Sequence, residues 1–175
     1  MNEPKNDRLD RETKFIQTIA VKCQTDKGFA AKMRRADNPS TEHQCWDFLA
    51  AFGIDLEKEN ERLAFALIAA AVARSKIETN GTRRLGKALL DRYDGDKDGQ
   101  GKARLRRLLA CEDVEELCRI LRPILSLVLD KGKTELDHAR LLRQISRFAR
   151  DPQRIKAQWA QEYYGAPALS TEKTT

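Results

Sequence analysis

The longest apolar run in the chain, residues 63–73, constrains the fold more than any other sequence feature. It reads LAFALIAAAVA and contains no polar residue. A helix that is apolar around most of its circumference has to be buried, so the run predicts a central core helix over residues 57–77. A membrane-spanning helix needs about 20 apolar residues, and this run is therefore too short to cross a bilayer.

The rest of the sequence carries helical rather than strand periodicity. Nine Gly and five Pro among 175 residues are too few for the many tight turns of an all-β fold, and no alternation of apolar and polar residues persists. We therefore predict an all-α fold, a compact bundle of about seven to nine helices. Residues 1–165 are predicted to form one helical domain, or two packed lobes divided near residues 80–100, followed by a flexible tail over 166–175.

Several helix starts are marked by capping residues. Asp26 is predicted to cap one helix, and Asp151 caps the last helix with Pro152 at its first position. Thr41 and the Gln three residues later have the spacing of a capping box, which predicts a helix that buries Trp46.

Catalytic and metal-binding signals are sparse. The four Cys lie far apart without a paired spacing, which indicates reduced thiols in a cytoplasmic protein. Two histidines, His43 and His138, do not complete a zinc-binding set, and no nucleotide-binding or metalloprotease motif is present. The first 13 residues lack the hydrophobic region of a secretion signal. We predict a cytoplasmic, non-enzymatic protein without a cofactor or a bound metal.

The acidic segment DGDKDGQG at residues 94–101 imitates the start of an EF-hand calcium loop. Aspartates occupy positions 1, 3 and 5 of the motif and a glycine occupies position 6. Position 12, however, is Leu105 instead of a bidentate Glu, and position 9 is the cation Lys102. The segment is therefore predicted to be a solvated connector.

Positive charge is concentrated in one part of the chain. Residues 1–82 carry 13 Lys and Arg against 13 Asp and Glu, whereas residues 83–156 carry 19 against 12. Such an asymmetry indicates a polyanionic partner, most often nucleic acid or an anionic membrane surface.

Four arginines in the basic part follow helical spacing: Arg140, Arg143, Arg147 and Arg150. At about 100° per residue they share one sector of about 80° on a helix predicted over residues 136–150, opposite an apolar side. A polyanion would relieve their mutual repulsion. The alternative is that the last two of them complement the helix C-terminus, or pair with carboxylates on a neighbouring helix.

Two further basic groups precede this stripe. The first comprises Arg83, Arg84 and Lys87, and the second comprises Lys102, Arg104, Arg106 and Arg107. The planar guanidinium group suits phosphate recognition. Aromatic residues of the kind that stack on single-stranded bases do not alternate with these cations, so the predicted contacts are to the nucleic-acid backbone and independent of base sequence.

Six segments taken together resemble a known family. In chain order they are KMRRA at 32–36, Trp46, RRLGKAL at 83–89, RLRRLL at 104–109, LRPIL at 121–125 and WAQEYY at 159–164. Their order and spacing, over roughly residues 15–165, resemble the CasB family, the small subunit of the type I-E CRISPR Cascade complex. Among the six segments, the basic-Leu-Gly-basic-Ala-Leu segment after an apolar helix is the most specific for this family.

The resemblance implies an all-helical, non-catalytic subunit present in two copies beside the backbone and large subunits of Cascade. Its partners would be the guide RNA and both DNA strands of the R-loop, with no membrane involved. Arg35, Arg104 and Arg122 match basic positions of the family, and Arg147 and Arg150 correspond loosely, whereas a basic position near Asp113 is acidic here.

The full set of candidate nucleic-acid-binding residues combines both lines of reasoning: Arg34, Arg35, Arg83, Arg84, Lys87, Arg104, Arg107, Arg122, Arg140, Arg143, Arg147 and Arg150. Two other functions stay open at this point. One is a stand-alone helical DNA-binding regulator, which would need a recognition helix with mixed polar residues for base edges. The other is a protein-interaction scaffold whose basic residues pair with acidic neighbours.

Overall fold

The computed structural model describes residues 7–130 and 135–165, with side chains from residue 11 onward. Within these ranges the chain forms nine α-helices and no β-strand, which confirms the all-α prediction. The helices are α1 (Asp7–Thr25), α2 (Lys27–Arg34), α3 (Trp46–Ala51), α4 (Glu59–Ser75), α5 (Leu85–Arg92), α6 (Gln100–Leu109), α7 (Val114–Leu129), α8 (His138–Phe148) and α9 (Pro152–Tyr164). The predicted tail lies outside the described residues, and the division into one domain or two lobes stays a prediction.

Helix α4 lies at the centre of the bundle. Its residues 64–73 are all buried, as the apolar run predicts. Helices α1, α2, α7 and α8 pack around it, because a helix with apolar residues on every side needs neighbours on every side. No helix in the described part of the chain is long and apolar enough to cross a membrane.

Helix α9 closes the bundle through Trp159, which is fully buried. Its indole N–H donates a hydrogen bond of 2.9 Å to the side-chain oxygen of Gln144 on α8, and its ring stacks on Phe148 with centroids 6.2 Å apart. On its other side α9 packs tightly against α5 at Gly86. A Cβ atom at Gly86 would lie 2.6 Å from the Cβ of Glu162 and 2.7 Å from the carbonyl oxygen of Trp159.

Replacing Gly86 by Ala is therefore expected to lower the free energy of unfolding by about 2–3 kcal/mol, because the two helix backbones must separate. Urea denaturation followed by circular dichroism measures this change. Gly28→Ala is the matched control, since an added Cβ there makes only ordinary contact, 3.4 Å from the nearest Asp26 oxygen. A helical Gly→Ala change at that exposed site should be neutral or stabilising. Equal effects at both positions would contradict the close packing of α5 on α9.

The predicted caps at Asp26 and Asp151 are confirmed. Each carboxylate accepts a hydrogen bond from the backbone N–H three residues later, at 2.9 Å for Asp26 and 3.3 Å for Asp151. Asp113 caps α7 in the same way, at 2.8 Å. The acidic residue at this position thus has a local structural role, because its side chain satisfies a free N–H at a helix start.

The segment before α3 differs from the prediction. The hydroxyl of Thr41 donates to the carbonyl oxygen of Arg35 at 2.8 Å instead of capping a helix, and a short 3-10 helix, Glu42–Cys45, comes first. Trp46 is 36% exposed, not buried. Its ring packs against the guanidinium group of Arg62, 5.4 Å away, and Arg62 also pairs with Glu42 at 2.9 Å.

Candidate nucleic-acid interface

Helix α8 is amphipathic as predicted, with its apolar side buried in the core. On the opposite side Arg143 is half-buried and Arg147 is exposed. The helix ends at Phe148, so Arg150 lies beyond its last turn and not on it. Arg150 is nevertheless exposed and lines the same grooves as the other two arginines.

Arg143, Arg147 and Arg150 stand between two surface grooves, and we refer to them as the arginine ridge. The first groove, of about 310 Å³, runs between α8 and α9 and is also lined by Arg154 and Gln158. The second, of about 650 Å³, lies between α8, α1 and the start of α4. No side chain in the described part of the chain forms an ion pair with a ridge arginine. The ridge therefore presents three positive charges along one edge of the molecule.

The structure places Arg140 differently from the ridge. Its Nε and Nη2 atoms both lie 3.1 Å from Oε1 of Glu162, whose side chain is 2% exposed. The other oxygen of Glu162 accepts the backbone N–H of Gly86 at 3.1 Å. Arg140 is therefore part of an internal ion pair that joins α8, α9 and the start of α5. The sequence suggested such pairing only for the last two arginines of the stripe.

Arg34, Arg35 and Arg122 come together near the end of α2. The buried carboxylate of Asp37 binds Arg74 of α4 through two hydrogen bonds of 2.5 and 2.8 Å, and Nε of Arg122 lies 3.9 Å from it. Arg34 and Arg35 are exposed beside this pair. We refer to the four arginines around Asp37 as the Asp37 cluster.

The remaining predicted basic residues lie just before α5, on α5 and on α6. Arg83 pairs with Asp91 at 3.0 Å, with both side chains about half exposed, whereas Arg84 is exposed and Lys87 is half-buried. Exposed ion pairs of this kind contribute about 0–1 kcal/mol and exchange partners easily.

On α6, Arg104 donates from Nε to the hydroxyl of Tyr93 at 2.8 Å, whereas Arg106 and Arg107 are exposed. Arg104 is thus partly committed to an internal hydrogen bond, and its exposed neighbours present their charge to solvent.

The acidic loop at 94–101 has a structural role that its sequence did not reveal. The carboxylate of Asp96 accepts the backbone N–H groups of Gly101 and Lys102 at 2.8 and 2.7 Å, and also the hydroxyl of Tyr163. Partial burial opposes ionisation, but these hydrogen bonds outweigh it and lower the pKa of Asp96. The predicted solvated connector is therefore tied to α6 and α9 by one of its aspartates.

The ridge and the Asp37 cluster lie toward opposite ends of α4. Residues 58–61 at the start of that helix line the groove beside the ridge, while Arg74 lies in its last turn. At 1.5 Å per residue the two groups are separated by about 20 Å along the helix.

Two arginines of these surfaces were missed by the sequence analysis. Arg74 directly follows the apolar run, at the end of its helix, and Arg154 lies in the first turn of α9. Neither has a periodic basic neighbour on its own helix. Arg74 joins the Asp37 cluster only because α4 packs on α2, and Arg154 lines the groove beside the ridge only because α9 packs on α8.

Cys45, Cys118 and His138 are held in their neutral forms by full or partial burial. Burial raises the pKa of Cys45 and of Cys118 to about 12, so their thiolates are scarce at neutral pH. His138 is fully buried, which lowers its pKa to about 4. In the described ranges, no three His, Cys, Asp or Glu side chains are grouped so that they could hold a metal ion.

Comparison with known proteins identifies the family. The model of the CRISPR-associated protein Cse2 family matches residues 30–164, more than half of the chain. The chain belongs to the Cse2 family. The resemblance to CasB that the basic and aromatic motifs indicated is thereby confirmed.

A Cse2-family relative from Thermus thermophilus is 31% identical over 118 residues. That alignment covers 66% of this chain and 64% of the relative, so it spans slightly less than two thirds of the relative's length. The function of the whole relative is therefore only proposed for this chain.

Solved structures share the fold. The crystal structure of a Cse2-family protein from Thermus thermophilus matches with a TM-score of 0.67 at 26% identity, covering 89% of this chain and 98% of that one. CasB from M. ruber matches with a TM-score of 0.68 at 22% identity, covering 88% and 92%. A chain of a CRISPR RNA-guided surveillance complex matches with a TM-score of 0.71 at 18% identity, covering 89% and 92%.

Proposed function

We propose that this Cse2-family chain is a non-catalytic small subunit of a type I-E Cascade surveillance complex in the cytoplasm. In this role it binds the sugar-phosphate backbone of nucleic acid and stabilises the separated strands of the R-loop during defence against foreign DNA. A structural relative is itself a chain of an RNA-guided surveillance complex, which supports assembly of this chain into such a complex. The proposed partners there are the backbone and large subunits, a second copy of the chain, guide RNA and target DNA.

The arginine ridge is the observation that carries this proposal. Three guanidinium groups stand along one edge of the molecule without a carboxylate partner in the described residues. A surface of this kind binds phosphates through charge-assisted hydrogen bonds and counterion release. It reads no bases, which suits a complex in which pairing with the guide RNA supplies sequence specificity.

A protein-interaction scaffold is the second candidate, and two observations favour it. Arg140 and Arg122 both bind carboxylates within the chain, so part of the basic surplus serves the fold. The stand-alone regulator fits less well, because the outer side of α8 and the turn after it offer the three ridge arginines instead of the mixed polar set that reads base edges.

Co-expression with the other Cascade subunits and a guide RNA tests the assignment. The chain is expected to co-purify with the assembled complex, and the complex lacking it should release target DNA from the R-loop faster. Binding of the isolated chain to random DNA should be weak and should fall steeply with salt. Failure to assemble would refute the subunit role, whereas assembly without any effect on R-loop lifetime would favour the scaffold.

A further inference from the structure

The carboxylate of Asp37 joins two arginines that come from different helices. Its side chain is 2% exposed, and it binds both terminal nitrogens of Arg74 at 2.5 and 2.8 Å. Nε of Arg122 lies 3.9 Å from the same Oδ2 atom, and Nη2 of Arg122 donates to the backbone carbonyl of Asp37. Because both guanidinium groups meet one carboxylate, they lie only a few ångströms apart.

Arg74 is also fixed by the end of α2. Nη2 of Arg74 donates to the carbonyl oxygen of Arg34 at 2.7 Å, and the last carbonyl groups of a helix carry the negative end of its dipole. The carboxylate of Asp37 and the carbonyl oxygens of Arg34 and Asp37 together hold two like charges side by side that would otherwise repel each other. The geometry is thus set before any ligand arrives.

Both guanidinium groups keep a free side. The side chains of Arg74 and Arg122 are 38% and 40% exposed, and a guanidinium group carries five N–H donors, more than the internal bonds use. Arg34 and Arg35 are exposed next to them. Four positive charges against one buried negative charge leave the cluster strongly cationic.

We propose that Asp37 is a positioning residue that holds Arg74 and Arg122 as one site for a single backbone phosphate, with Arg74 as a direct contact. This inference rests on the proposed nucleic-acid role and deepens it. Two preorganised guanidinium groups offer parallel donors to one phosphate, and their side chains lose little freedom on binding because they are already held.

Asp37→Asn separates positioning from simple charge. The substitution makes the chain more positive by one unit charge. If Asp37 only reduced the positive charge of the surface, its removal would therefore tighten DNA binding. Positioning predicts the opposite, because the guanidinium groups separate. We expect binding of a random single-stranded DNA oligonucleotide to weaken about threefold to tenfold, with the salt dependence reduced by about 0.7, the value of one phosphate contact.

Arg74→Lys tests the contact itself with the charge retained. A lysine keeps the ion pair with Asp37 but cannot offer parallel donors, so a similar loss of affinity is expected in a chain whose circular dichroism spectrum is unchanged. Arg62→Lys is the matched control, since Arg62 is also on α4 and pairs with a different carboxylate, Glu42. DNA binding of that variant should be unchanged.

The outcomes separate the two proposals. If the natural chain binds DNA and both Asp37→Asn and Arg74→Lys bind it equally well or better, the positioning role is overturned while the nucleic-acid role survives. If the natural chain does not bind DNA, alone or in the complex, the proposed function fails and the phosphate site fails with it.

Discussion

Replacing Arg143, Arg147 and Arg150 together by alanine is expected to weaken binding of random DNA about a hundredfold at about 0.1 M salt. Each ridge arginine that neutralises a phosphate releases a counterion, and this release contributes about tenfold in affinity at that salt concentration. Two to three lost contacts should therefore also reduce the slope of log affinity against log salt by about two units. Filter binding across a salt series measures both quantities.

A matched triple variant removes the same charge elsewhere. Lys27, Lys97 and Arg119 are exposed and lie outside the ridge and the Asp37 cluster. Replacing these three by alanine lowers the net charge equally, so a similar loss of affinity would show that overall charge matters and the ridge does not. The free energy of unfolding is measured for both triple variants, because Arg143 is half-buried and its removal can also cost packing energy. Each substitution at an exposed position should change it by no more than about 0.5 kcal/mol.

Glu162→Ala is expected to destabilise the fold by about 3–5 kcal/mol, because it leaves the partly buried guanidinium group of Arg140 without its counter-charge. The variant also removes the acceptor for the backbone N–H of Gly86, 3.1 Å away. The junction of α5, α8 and α9 depends on this one side chain. Urea denaturation of the isolated chain measures the loss, with the m-value showing whether unfolding stays two-state.

Arg140→Ala gives the complementary result. If Arg140 is structural, its removal should destabilise the chain by a comparable amount and change DNA binding of the folded protein little. Arg147→Ala is the matched control on the same helix and should do the reverse. A stable Arg140→Ala variant with lost DNA affinity would show that the pair with Glu162 opens in the complex and that Arg140 belongs to the ridge.

Most of the helical architecture could be predicted from local sequence. The central position of α4 follows from the apolar run, and the caps at Asp26 and Asp151 follow from a side chain that satisfies N–H groups within three residues. The predicted capping box at Thr41 was wrong, because the Thr41 hydroxyl donates its hydrogen bond to the carbonyl oxygen of Arg35, six residues earlier. Such a competing partner depends on how the chain folds back on itself and is invisible in the local pattern.

The candidate site could be predicted only in part. Helical spacing correctly placed Arg143 and Arg147 opposite the apolar side of α8, since both sides of a helix follow from its periodicity. It could not show that Arg140, on the same stripe, pairs with Glu162, nor that Asp37 gathers Arg74 and Arg122. Those partners are brought together by the packing of different helices.

By itself the sequence determined that this chain folds into helices around an apolar centre, and where several of those helices begin. It also determined the family. Hydrophobic periodicity, helix caps and the order of motifs can all be recognised along the chain without knowing how it folds. Only the tertiary structure decided which of its arginines are free. A guanidinium group is occupied or available according to the carboxylates that packing brings within about 4 Å. Glu162 lies 22 residues from Arg140, and Asp37 lies 85 residues from Arg122.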